Sequence, residues 1–123
     1  MQIHKLSQLV LLAAPSAMAI KLFVGSYGGA ITTLEFNQAN GSFAQLSMSN
    51  SSAPQPSWQE LARNGRVLYT VEETTPGNWS AGAVTSYRVG ADGALAKIAS
   101  APTFPAVVSL AISPNGKLVV AAS

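Results

Sequence analysis

Two adjacent carboxylates, Glu72 and Glu73, close the run RVLYTV in a chain that holds little else able to move a proton. The other acids are Glu35, Glu60 and Asp92, there is no cysteine, and the one histidine is His4, in a segment expected to be removed. A Ser-His-Asp triad, a thiolate nucleophile and the usual zinc sites are therefore excluded within this stretch. What is left is acid–base chemistry by a carboxylate, with a tyrosine hydroxyl such as that of Tyr27 as donor. Neighbours on a strand point to opposite faces, so at most one of Glu72 and Glu73 can enter a pocket. A strand-end glutamate is otherwise an ordinary solvated charge.

The N-terminus explains why His4 does not count. Met1 to Lys5 is a short basic start, LSQLVLLAA is an apolar run too short to cross a bilayer, and Pro15 breaks it. Ala17-Met18-Ala19 then offers small residues at −3 and −1, the pattern of a secretory signal peptide over residues 1–19 with cleavage after Ala19. Of seven Lys and Arg, Lys5 is lost with it, and 6 − 5 leaves a net charge of +1. No clustered basic face of the kind nucleic acid needs is present. Three sequons, at Asn40, Asn50 and Asn78, add to the expectation of an exported glycoprotein, extracellular or wall-associated, with no membrane anchor once the signal is gone. With no cysteine to form disulfides, its stability must come from packing.

The elements that must position these residues are short strands separated by turn signals. Runs at 21–26, 30–36, 43–48, 57–62, 66–72, 83–89, 94–100, 108–113 and 117–122 read as these strands. Asn40-Gly41, Asn64-Gly65, Asp92-Gly93 and Asn115-Gly116 punctuate them, and such pairs tolerate positive φ at both positions. The phrase NGRVLYTVE returns as NGKLVVAAS, 115 − 64 = 51 positions later. Grouped by the repeat, the strands fall as three, four and two. Four antiparallel strands per period are the grammar of propeller blades. An ordinary sandwich would supply the strands without the repeating phrase. The first group lacks its opening strand and the last its closing ones, so the chain reads as the front part of a longer all-β protein.

The segments LFVGSYGG, PSWQELARNGRVLYTVEE, VTSYRVGADGALAKIAS and SLAISPNGKLVVAA together resemble the seven-bladed β-propeller lactonase family. These are 6-phosphogluconolactonase-like proteins, and the secreted fungal branch described as carboxy-cis,cis-muconate cyclase-like looks most similar. The resemblance covers residues 20–123 as the N-terminal part of the propeller domain, about the first two of seven four-stranded blades. It implies a full-length monomer acting on a small lactone or carboxylated substrate, opening or closing the ring with no metal or organic cofactor. It also implies a shallow pocket on one propeller face.

The resemblance matches Glu73 to an acidic residue of the family and makes it the expected catalytic acid or base. Strand order alone places Tyr27, Trp58 and Ser109 toward the same face. Ser109 stands where bacterial relatives carry a histidine, a departure from the phosphosugar-hydrolysing pattern. Ring opening asks for a base to activate water and a donor for the oxyanion; ring closure asks for an acid and a cation to hold carboxylates. Arg63 and Arg66 flank the opposite turn, so such a cation is expected from later blades. The bland reading makes Trp58 a blade-packing aromatic and Tyr69 and Tyr87 structural. A non-catalytic binding surface on a secreted glycoprotein, or an inactive truncated product, is the alternative to an enzyme.

Overall fold

A computed structural model describes residues 19–50, 55–75, 77 and 79–123. Residues 1–18 of the expected leader, which runs to Ala19, and the sequon asparagine Asn78 lie outside the described residues. The described chain is all-β and contains no helix. Strands β1 (Ala19–Gly25), β2 (Ala30–Asn37) and β3 (Ser42–Asn50) form one sheet in that order. Strands β4 (Pro56–Leu61), β5 (Val67–Glu72), β6 (Gly82–Val89) and β7 (Leu95–Thr103) form a second, and β8 (Ser109–Ile112) pairs with β9 (Val119–Ala122). Every pairing is antiparallel. The three, four and two grouping read from the repeat is the grouping observed.

The turns form by a different device from the one expected. In all four, only the glycine has positive φ, between 68° and 81°. The preceding Asn or Asp keeps ordinary backbone angles and uses its side chain instead. Asn40, Asn64, Asp92 and Asn115 each accept a hydrogen bond on Oδ1 from the amide two residues on, at 2.9–3.1 Å. That is an Asx turn, so the acceptor oxygen rather than left-handed tolerance selects these residues. Asn40 and Asn50 are both exposed, the first in its turn and the second at the end of β3. Another departure is β7, which runs three residues past the expected end at Ser100. Ala83 pairs with Pro102 and Gly82 with Thr103. Proline is tolerated there because β7 is the edge of its sheet.

The period of two in β5 divides the core between the two faces of the middle sheet. Leu68 packs with Tyr87 of β6 and Ile31 of β2, closing the first sheet onto the second. Val71 packs with Val107 and Leu110, closing the second onto the third. Full burial of aliphatic side chains such as Ile31 and Leu68 contributes about 1.5–3 kcal/mol each. Face-to-face packing of consecutive antiparallel sheets, here of three, four and two strands, is the packing of propeller blades. The face of blade two that meets blade one also carries a row of polar side chains. Gln59, Thr70, Thr85 and Ser100 stand in register across its four strands. Glu72 lies two residues beyond Thr70 on the same face, 1% exposed, and accepts a hydrogen bond from Thr85 at 3.1 Å.

Candidate functional site

Blade two ends β5 with Glu72 and turns out at Glu73, whose backbone is fixed from both sides. Its amide donates to Gln55 at 3.1 Å and its carbonyl accepts from the Ala106 amide at 3.1 Å. Ala106 is the one described non-glycine residue in the left-handed region, with φ of 58°. Blade one ends β1 at Gly25 and turns through Tyr27, 46 residues earlier than Glu73. The two meet: the Tyr27 hydroxyl donates to Glu73 Oε1 at 3.2 Å.

Beside the pair lies a cleft of about 150 Å³ lined by Gly25, Tyr27, Pro56 and Ser57. Ser57 lines this cleft, and its hydroxyl oxygen is buried with no hydrogen-bond partner among the described residues. Pockets for drug-sized ligands run to about 300–1,000 Å³, so this cleft is one wall of a site rather than a closed pocket. A larger cavity, about 740 Å³, lies between β6, β7 and β9. Its lining is mainly apolar and has no carboxylate, lysine or arginine, and Tyr69 is its one titratable side chain. It is the continuation of the interface between the second and third sheets and offers no acid–base pair.

Electrostatics suit the Tyr27–Glu73 pair to proton handling. Glu73 holds the Tyr27 phenol above its ordinary pKa, first through the hydrogen bond and then through its charge. Ionising Tyr27 would remove the proton that Glu73 accepts and set two anions side by side. The phenol is therefore a protonated donor across the neutral range. A carboxylate has about four lone-pair positions, so Glu73 can accept from Tyr27 and still take a proton from water.

Of the residues the sequence pointed to, the structure joins Tyr27 and Glu73. Trp58 and Ser109 are absent from the cleft lining, and neither takes part in the pair. Trp58 is 44% exposed, which removes it from the packed core expected for it. It stands opposite Val71 on the face toward the third sheet, which covers this part of β4 only in part. Ser109 is half-buried at the start of β8, paired with Ala122. Tyr87 is structural as expected, 3% exposed in the core. Glu72 is correctly turned away from Glu73, but it is a buried, hydrogen-bonded group and not the indifferent neighbour that alternation alone implied. Gln59 went unnoticed. The signal for it was Gly25, a glycine at a strand end where another chain segment approaches closely. Among the described residues no cluster of three metal-ligating side chains occurs.

Residues 21–123 match the family model described as lactonase, 7-bladed beta-propeller. The chain belongs to that lactonase family. It is 38% identical over 101 residues to "Probable 6-phosphogluconolactonase" of Arthroderma benhamiae, covering 82% of this chain and 24% of that protein. It also superposes on the periplasmic gluconolactonase PpgL of Pseudomonas aeruginosa with a TM-score of 0.72 at 26% identity, covering 85% of this chain and 31% of that one. The chain thus spans about a quarter of its curated relative's length and corresponds to the N-terminal part of the lactonase propeller.

Proposed function

We propose that the complete gene product hydrolyses a small lactone, with Glu73 as general base and Tyr27 as hydrogen-bond donor. The observation that carries this is the 3.2 Å contact between Tyr27 and Glu73, made by two blades at the edge of a cleft. Membership of the lactonase family supports it. Glu73 takes a proton from water as the water oxygen attacks the lactone carbonyl carbon. The carbonyl electrons move to oxygen, and the Tyr27 hydroxyl turns from Glu73 to that oxyanion. Collapse breaks the ring C–O bond, and the leaving oxygen takes the proton held on Glu73. A hydroxy acid results, and no cofactor is required.

The same pair read as a muconate-lactonising site would need a cation near Glu73 to hold carboxylates. Arg66 precedes β5 and Glu73 follows it, seven residues apart, so at ~3.3 Å per residue they stand about 23 Å from each other. Ring opening is favoured on that ground, and a carboxylated substrate depends on cations from later blades. The 69% exposure of Tyr27 is the observation that favours a non-catalytic binding surface on an exported glycoprotein. Export itself rests on the Ala17-Met18-Ala19 site and the three sequons.

The test is turnover of a simple aldonolactone and of a carboxymuconate by the complete gene product and its Glu73→Gln variant. Gln keeps shape and hydrogen bonding but cannot take the proton. A general base contributes about 10²–10⁴-fold, so the variant should lose at least a hundredfold on the lactone. Equal rates would return Glu73 to a solvated loop charge, and no turnover by the wild type would favour the binding surface.

A further inference from the structure

The hydrogen bond between Tyr27 and Glu73 joins groups from two different blades, so something must hold those blades in register at this end of their interface. We infer that Gln59 is the positioning residue: its side-chain amide clasps the end of β1 to the start of β4 and so sets Tyr27 against Glu73. This deepens the lactonase reading and rests on it for the catalytic consequence, although the clasp itself does not.

The geometry is specific. Gln59 Oε1 accepts from the Gly25 amide at 3.2 Å, and Gln59 Nε2 donates to the Pro56 carbonyl at 2.9 Å. Gly25 is the last residue of β1, two positions before Tyr27. Pro56 is the first residue of β4 and pairs with Glu72, next to Glu73. One planar amide therefore touches the two strand ends from which the pair is built, and it uses both its acceptor and its donor to do so. Glu73 is already anchored within its own blade through Gln55 and Ala106. Among the described residues, Tyr27 is tied to that blade through Glu73 itself and the clasp two residues before it.

Gly25 fits this account. Its φ does not require glycine, since it is not among the positive-φ residues. Space does. A Cβ there would lie 2.3 Å from the Pro56 carbonyl oxygen and 2.4 Å from Gln59 Nε2. Backbone oxygen cannot yield as a flexible side chain can, so blade one approaches this closely only through a glycine. Elsewhere on the interface, Thr33 and Ser47 donate to the Gly93 carbonyl at 2.7 and 2.9 Å. Those contacts hold the blades together near the Asp92-Gly93 turn, so losing Gln59 should loosen the Tyr27 end without separating the blades.

The experiment follows Tyr27 directly. The complete gene product is prepared with ring-¹³C tyrosine, and the Tyr27 resonance is identified by its loss in Tyr27→Phe. Its ionisation is then followed in the wild type, Glu73→Gln, Gln59→Met and Gly25→Ala, with Leu110→Ala as a control that weakens the other blade interface. In the wild type Tyr27 ionises above the ordinary tyrosine range, and in Glu73→Gln it returns toward that range. Gln59→Met and Gly25→Ala should both reproduce the Glu73→Gln midpoint while Leu110→Ala keeps the wild-type one. On a lactone, Gln59→Met should lower kcat by up to about 10²-fold, the cost of misplacing a reacting group by about 1 Å, with KM little changed. A wild-type Tyr27 midpoint in Gln59→Met overturns the clasp, whatever the activity. A lowered midpoint in a protein with no lactone turnover supports the clasp and removes the lactonase reading.

Discussion

Glu72 gives the sharpest energetic prediction, because its carboxylate is buried between two blades and its hydroxyl partner is known. Thr85, fully buried, donates to Glu72 Oε2 at 3.1 Å and also contacts the Ser100 hydroxyl at 2.9 Å. Thr85 has one hydroxyl proton. If it goes to Glu72, Ser100 must donate to Thr85, and the three form a directed chain that ends on the carboxylate. Thr85→Val removes the middle of that chain at nearly constant volume. It should destabilise by about 1.5–3 kcal/mol, the range for a buried hydrogen bond to a charged group. Glu72→Leu removes the acceptor and its desolvation cost together. The double variant should therefore be more stable than the sum of the singles by about 1.5–3 kcal/mol. The assay is urea unfolding of the complete gene product and the three variants, comparing midpoints at constant m-value. Additivity within about 0.5 kcal/mol would show that Glu72 and Thr85 are not coupled.

Two further predictions concern the chain itself. Made alone, the 123-residue chain should self-associate, because β1 and β9 are edge strands and Phe104, Trp58, Leu118 and Val120 are exposed, Phe104 at 85%; a monodisperse monomer with one cooperative thermal transition in size-exclusion and melting experiments would contradict this. Material secreted by the source cell should begin near Ile20 and gain gel mobility on endoglycosidase treatment, whereas unchanged mobility with Met1 intact would remove the export reading.

The strand plan was legible because each Asn-Gly or Asp-Gly step is a local signal that depends on two residues and their immediate backbone. Those steps bounded the strands to within about three residues, and the largest difference, the extension of β7 through Pro102, arises from pairing with β6 that no local signal reports. The meeting of Tyr27 and Glu73 was half legible. Strand order placed both at one end of the blades, but the hydrogen bond depends on how closely two blades approach. That approach is set by Gly25, Pro56 and Gln59, residues with no chemistry of their own to advertise it. The burial of Glu72 was hidden for the same reason. Alternation shows which face a side chain leaves from, and only blade packing shows whether that face meets solvent or Thr85. Trp58 shows the converse, an aromatic opposite Val71 on the face that meets the third sheet, where neither type nor alternation reports how far that neighbour reaches to cover it.

The most direct measurement is a crystal structure of the complete gene product with a non-hydrolysable lactone analogue. The analogue should lie in the cleft beside Gly25 and Ser57. Its carbonyl oxygen should lie within hydrogen-bond reach of Tyr27, with Glu73 facing the carbonyl carbon across room for one water. An analogue bound on another part of the propeller, with Tyr27 and Glu73 paired and untouched at the surface, would contradict it.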